Sequence, residues 1–136
     1  IECGLLNGEI AFKDVPEVWN AKMQEYLGIT PSTDSEGCLQ DVHWSEGLIG
    51  YFPTYTLGNL ISAQMFHKLR TAHPNLDAEI EQGNFTSVLG WLRENVHGYG
   101  AKFFPREVVL KATGEPLNSK YYVDYLNNKF SDIYSL

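Results

Sequence analysis

Apolar residues recur every three or four positions along most of the chain, which is the spacing of an amphipathic α-helix. No segment keeps a period of two for long enough to predict a sheet. The segments predicted to be helical are residues 1–6, 14–28, 53–74, 75–84, 85–100, 105–114 and 118–136. We therefore predict an all-α fold, an irregular helical bundle in which residues 1–136 form a single helical unit.

The predicted helix ends rest on local sequence signals. Asp14 and Glu17 have the spacing of a capping box, and Gly28 and Gly114 are typical of the residue that follows a helix. The residues expected to face inward are Val15, Val18, Trp19, Met23, Tyr26, Leu27, Leu57, Leu60, Ile61, Met65, Leu69, Phe85, Val88, Leu89, Leu92, Val96, Tyr122, Tyr125, Leu126, Phe130 and Ile133.

Residues 29–52 lack the helical period and contain one proline and several glycines. A connection of this length in a small protein is usually functional or disordered. Its Trp, Tyr and Phe content argues against disorder, because disordered segments are poor in aromatic residues. We predict a long ordered loop with one or two short helical turns.

The loop carries the most polar short stretch of the chain, "QDVHW" in residues 40–44. In an extended segment Asp41 and His43 would share one face, and a carboxylate there fixes the tautomer of the histidine. Tyr51 and Tyr55 are four residues apart near the start of the next helix, which would place both phenols on one side. An imidazole and a phenol aimed at one point stabilise an oxyanion. The alternative is a buried loop whose polar side chains satisfy one another, and spacing alone leaves both open.

Charge and cysteine content exclude several classes of function. The net charge of −7 gives the chain no attraction for phosphate backbones, so we expect no nucleic-acid partner. No apolar run approaches the roughly 20 residues that a membrane span needs, so we expect no membrane partner. Two cysteines form neither a disulfide framework nor a four-cysteine zinc site, and they favour the reducing cytoplasm. No two histidines have the HExxH spacing of a zinc helix.

The residues of "GCLQDVHW", followed by "GYFPTYTLGN", resemble the carboxypeptidase Taq family of metallocarboxypeptidases. A signature of that family reads G-x-x-Q-D-x-H-W. All of its fixed positions are matched here, by Gly37, Gln40, Asp41, His43 and Trp44. The flanking "VPEVWNAKMQEYLGI" and "ATGEPL" also look like the C-terminal region of the family, so the resemblance covers essentially the whole chain.

The resemblance implies a larger, all-helical, zincin-like fold of which this chain is the C-terminal portion. Members of the family are usually dimeric and release single residues from peptide C-termini. They use zinc or cobalt held by an HExxH helix and a later glutamate. Neither motif occurs in this sequence. We therefore expect no metal bound by this segment, no activity from it alone, and a requirement for the N-terminal part of the same enzyme.

Within such an enzyme, the loop and the following helix would form a wall of the substrate cleft. We expect His43 and either Tyr51 or Tyr55 to stabilise the carbonyl or oxyanion. Gln40 and Asp41 would form the substrate-binding side. Gln40 would bind the peptide backbone or terminal carboxylate, and Asp41 would orient His43 or the loop. The alternative is a non-catalytic helical module, for binding or oligomerisation, that kept the sequence of the family's C-terminal region.

Overall fold

The structure, a computed structural model, describes residues 1–136 and is all-helical, without a strand. The predicted fold class is therefore confirmed. The helices are α1 (Glu2–Leu6), α2 (Val15–Leu27), α3 (Val42–Ser45), α4 (Pro53–Ala72), α5 (Leu76–Glu81), α6 (Thr86–Asn95), α7 (Pro105–Thr113) and α8 (Lys120–Tyr134). Single 3₁₀ turns lie at Phe12–Asp14, Cys38–Gln40 and His97–Tyr99. No helix is both long enough and apolar enough to cross a bilayer.

The chain divides into two compact units, Ile1–Pro53 and Thr54–Leu136. The first contains α1, α2, α3 and the long loop. The second contains nearly all of α4 and the whole of α5 to α8. The single unit predicted for residues 1–136 stays a prediction, and the two units are described separately.

The core of the second unit is a small cluster of buried side chains from four helices. Leu69, Leu76, Trp91 and Ala112 come from α4, α5, α6 and α7 and pack together. Half-buried side chains surround them, namely Met65, Phe66, Ile80, Val88, Leu92 and Val96. Burying one Leu-sized side chain contributes roughly 1.5–3 kcal/mol, so this cluster holds the four helices together.

A buried glutamine ties α4 to the turn between α7 and α8. Gln64 is only 1% exposed. Its Nε2 donates to Thr113 Oγ1 and to the Pro116 carbonyl, both at 3.0 Å. Its Oε1 accepts from the Asn118 backbone N–H at 2.8 Å. A buried amide is costly unless it is hydrogen-bonded, and here its donor and acceptor ends are both used.

Two of the predicted helix ends are confirmed, and the predicted capping box is wrong. Gly28 and Gly114 have φ of +70° and +86°, the left-handed geometry that a glycine adopts without strain. Asp14 lies at the end of a 3₁₀ turn and already has near-helical backbone angles. Its side chain makes no capping hydrogen bond to α2. The 3₁₀ turn leads directly into the helix and takes the place of the cap.

Several residues predicted to face inward are exposed in the structure. On α8, Ile133 is 56% exposed although it lies on the apolar face of the helix. The same correction applies to Tyr26, Leu27, Leu57, Phe85, Leu89, Tyr125 and Phe130. Periodicity identifies the apolar face of a helix but not what covers it. Apolar surface of this extent is typical of a region that another segment or chain covers.

Candidate functional site

The loop between α2 and α4 is ordered by short turns, as predicted. A 3₁₀ turn at Cys38–Gln40 is followed at once by α3. Gly47 and Gly50 have φ of +72° and +78°, so the chain turns at both points in a conformation that favours glycine. The Cys38 side chain is buried, whereas Cys3 in α1 is exposed.

Asp41 and His43 are in contact, but not through the extended segment that the sequence predicted. Asp41 is the N-cap of α3, and its Oδ1 accepts from the His43 backbone N–H at 3.0 Å. The same Oδ1 lies 2.9 Å from His43 Nδ1. The side chains are 15% exposed for His43 and 9% for Asp41. In the neutral ring the contact places the proton on Nδ1 and the lone pair on Nε2.

Two aromatic side chains hold the His43 ring in place. The Tyr51 ring stacks on it with centroids 5.4 Å apart and planes 25° apart. The Phe52 ring meets its edge at 5.4 Å and 80°. Both geometries are favourable for aromatic pairs. One carboxylate and two aromatic rings of the first unit therefore help to orient the imidazole.

The expectation that helical spacing aligns Tyr51 and Tyr55 is wrong. Because α4 begins at Pro53, Tyr51 precedes the helix and only Tyr55 lies in its first turn. Tyr51 belongs to the first unit and Tyr55 to the second. The structure thus brings Asp41, His43 and Tyr51 together without using the i, i+4 relation.

Gln40 lies beside this cluster in the sequence and uses part of its side chain within the loop. Its Nε2 donates to the Ser35 carbonyl. A primary amide carries two N–H donors and one carbonyl acceptor, so this bond uses one of three groups. The contact braces the loop just before Asp41.

Sequence reasoning missed Glu2, which contacts the site loop from α1. Its Oε1 accepts from Trp44 Nε1 at 2.8 Å, and its Oε2 accepts from the Gly50 N–H at 3.0 Å. The Trp44 indole also meets the edge of Trp19 at 6.0 Å. Glu2 is more than 40 positions from either donor, and nothing in its local sequence signals the contact.

The side chains of this chain do not fit a metal site. No group of three or more His, Cys, Asp or Glu residues is arranged to hold a metal ion. Asp41 and His43 form a pair that is occupied with its own hydrogen bond. The chemistry available to these residues is hydrogen bonding and charge stabilisation.

Comparison with known proteins places the chain in a family. The profile described as carboxypeptidase Taq (M32) metallopeptidase matches residues 1–130. The chain belongs to this family. It is 47% identical to carboxypeptidase 1 of Bacillus subtilis over 136 residues, covering all of this chain and 27% of that protein. It is 40% identical to thermostable carboxypeptidase 1 of Thermus thermophilus, covering 98% of this chain and 26% of that protein.

A solved structure of the family confirms the fold. The M32 carboxypeptidase of Deinococcus radiodurans is 38% identical and superposes with a TM-score of 0.94. The superposition covers 99% of this chain and 27% of that one. The chain thus spans about a quarter of the length of its M32 relatives, and it corresponds to their C-terminal part. Both the predicted family and the predicted position within it are confirmed.

Proposed function

We propose that the chain is the C-terminal part of a metal-dependent carboxypeptidase that releases single residues from peptide C-termini, and that it forms one wall of the substrate cleft. The observation that carries this proposal is the Asp41–His43–Tyr51 cluster in a chain of the M32 family. A histidine oriented by a carboxylate and stacked on a tyrosine is suited to bind a developing negative charge.

His43 is proposed to stabilise the substrate carbonyl and the oxyanion that forms from it. Asp41 contacts the ring at Nδ1, and the proposal assigns Nε2, on the other side of the ring, to the substrate. In the protonated ring Nε2–H donates to the oxyanion, and the Asp41 carboxylate stabilises the imidazolium by charge. The aromatic neighbours fix the direction in which Nε2 points.

One tyrosine is proposed to share this role. Tyr51 is favoured because its ring stacks on His43, whereas Tyr55 is the alternative. A phenol donates a hydrogen bond to an oxyanion without losing its own proton. Two donors on one developing charge stabilise the transition state more than the ground state, which is what raises turnover.

Gln40 and Asp41 are proposed to complete the substrate-binding side. The second N–H of the Gln40 amide would donate to the peptide backbone or to its terminal carboxylate. Asp41 would act through His43, because a carboxylate facing the anionic end of a peptide is repelled by it.

The remaining parts of the enzyme are proposed to lie outside this segment. The divalent metal, zinc or cobalt, would be held by other residues of the same polypeptide, since no group here fits one. The segment alone would then be inactive. The exposed apolar faces would be covered by the rest of the enzyme and by a homodimer contact, in the cytoplasm.

The first experiment uses a full-length enzyme that carries this chain. It is either the natural polypeptide, if the coding sequence upstream of Ile1 encodes an HExxH motif, or a chimera with the rest of Bacillus subtilis carboxypeptidase 1. In either, His43→Ala is expected to lower kcat by about 10²–10³, the usual loss for one oxyanion donor. The metal content, measured by elemental analysis, should not change. His97→Ala, an exposed histidine of the second unit, is the matched control.

Loss of metal from His43→Ala would show that the residue serves the metal site instead. Unchanged turnover would show that it does not act on substrate. Tyr51→Phe and Tyr55→Phe, compared in the same assay, decide between the two tyrosines, and we expect the larger loss of kcat from Tyr51→Phe. An upstream sequence without HExxH, together with an inactive chimera, would favour the non-catalytic module.

A further inference from the structure

A single carboxylate in α1 spans both ends of the turn that separates the two proposed catalytic rings. Glu2 accepts from the Trp44 indole at 2.8 Å and from the Gly50 amide at 3.0 Å, one bond to each oxygen. Trp44 directly follows His43, and Gly50 directly precedes Tyr51. The carboxylate therefore joins the two residues next to the stacked pair.

The chemistry of this contact favours glutamate over its closest substitutes. Both groups that point at the side chain are N–H donors, so the side chain must supply two acceptors. A glutamine has one carbonyl oxygen and would turn its NH₂ group toward one of the donors. An aspartate keeps both acceptors but is one methylene shorter. Hydrogen bonds to an ionised acceptor are also about twice as strong as neutral ones.

The backbone of the turn restrains its first half better than its second. The Glu46 and Gly47 N–H groups bond back to the His43 and Trp44 carbonyls at 3.2 and 3.1 Å. Gly47 and Gly50 both have positive φ, and glycine has the largest conformational freedom to lose on folding. Inside the turn, the Leu48 N–H bonds to the His43 carbonyl at 2.8 Å. The Tyr51 N–H reaches the Leu48 carbonyl only at 3.4 Å, which is a weak bond. Glu2 supplies a polar link from both ends of the turn to α1, beside the packing of Trp44 on Trp19.

We propose that Glu2 is a positioning residue, which holds the Trp44–Gly50 turn so that the His43 and Tyr51 rings stay aligned toward substrate. This inference rests on the proposed function for its kinetic part. Its structural part, that Glu2 sets the relative position of the two rings, stands without it. Glu2 is not proposed to contact the substrate.

The test compares Glu2→Gln with Glu9→Gln in the full-length enzyme. Glu9 is an exposed glutamate of the same unit whose side chain makes none of these contacts, so it controls for the loss of charge. Glu2→Gln is expected to lower kcat about tenfold to hundredfold, the scale of a misplaced catalytic group. KM should change less than twofold, because the two rings are proposed to act on the transition state.

Partial unfolding would also lower the apparent kcat at unchanged KM, because it lowers the concentration of active enzyme. Assays well below the melting temperature, with metal content and melting temperature measured for each variant, separate misalignment from unfolding. A two-dimensional ¹H–¹⁵N NMR spectrum reports directly on the two N–H groups that Glu2 contacts. The Trp44 indole and Gly50 amide signals should both move in Glu2→Gln, and neither should move in Glu9→Gln.

A double variant tests the mechanism of the contact. Trp44→Phe removes the indole N–H, so the glutamine oxygen can then serve the Gly50 amide without its NH₂ group facing another donor. Glu2→Gln should therefore lower kcat less in the Trp44→Phe background than in the wild type. Equal losses in the two backgrounds would contradict the proposed contact.

The outcomes separate the two proposals. If the full-length enzyme is active, and Glu2→Gln keeps wild-type kcat with unmoved Trp44 and Gly50 signals, the positioning role is wrong while the proposed function stands. If no full-length carrier has carboxypeptidase activity, the proposed function fails. In that case the spectra and a structure of Glu2→Gln still decide whether Glu2 holds the turn.

Discussion

Replacing Gln64 by leucine tests whether the buried amide holds the turn between α7 and α8. The side chain is 1% exposed and makes three bonds of 2.8–3.0 Å, to Thr113, Pro116 and Asn118. Leucine has a similar volume but no polar atom. The change therefore removes all three hydrogen bonds with little change in packing.

The loss in free energy of unfolding depends on whether each partner of Gln64 has another hydrogen bond in the variant. Thr113 Oγ1 keeps its bond to the Val109 carbonyl at 2.8 Å, and Pro116 is exposed, so both find other partners. The half-buried Asn118 N–H loses its acceptor. At about 1 kcal/mol for each bond, Gln64→Leu should lower the free energy of unfolding by about 2–3 kcal/mol. The melting temperature should fall with it.

Thermal and urea unfolding, followed by circular dichroism at two protein concentrations, measures this loss. Gln82→Leu is the matched control, since Gln82 is exposed and should stay within about 0.5 kcal/mol of the wild type. Amide exchange should quicken at Asn118 in the Gln64 variant. A Gln64→Leu protein as stable as the Gln82 control, with unchanged exchange at Asn118, would refute the reasoning.

Two further predictions concern alkaline stability and packing. The hydrogen bond from Tyr121 to the Glu115 carboxylate raises the pKa of the Tyr121 phenol above its usual 10. A raised folded-state pKa gives stability that is complete below pH 10 and lost as the pH rises through the folded value. The stability difference between wild type and Tyr121→Phe should therefore shrink above pH 10 in urea titrations, and a constant difference would contradict the contact. At Gly4, an added Cβ would lie 2.5 Å from Ile10 Cδ1. Gly4→Ala should destabilise by about 1 kcal/mol despite the helix propensity of alanine. At Gly90 an added Cβ would meet no atom within 4 Å beyond its chain neighbours and the backbone of its own helix, so Gly90→Ala should stabilise instead. A change of the same sign for both variants in melting experiments would contradict the packing argument.

The helices were predictable because their signals are local. Gly28 and Gly114 end α2 and α7 where the sequence indicates, since a left-handed residue after a helix is usually glycine. Asp14 has the sequence of a capping residue, but a preceding 3₁₀ turn gives it helical angles and removes the need for a cap. The burial of α8 was not predictable, because an apolar stripe does not say which surface covers it.

The site was predictable in part, and for reasons that differ among its members. The Asp41–His43 contact follows from their separation by one residue, although the geometry is a helix cap and not an extended segment. The stacking of Tyr51 on His43 depends on how the turn folds back at Gly47 and Gly50, which the sequence does not specify. The role of Glu2 depends on a contact across more than 40 residues, which no local pattern encodes.

The two cysteines differ in exposure, so their reactivity can measure how often the loop between α2 and α4 opens. Cys3 is exposed, whereas Cys38 is 7% exposed and lies three residues before Asp41. A thiol reagent should modify Cys3 immediately and Cys38 only as often as the loop opens. With Cys3 replaced by serine, the rate of Cys38 modification measures the free energy of opening of the loop that carries His43.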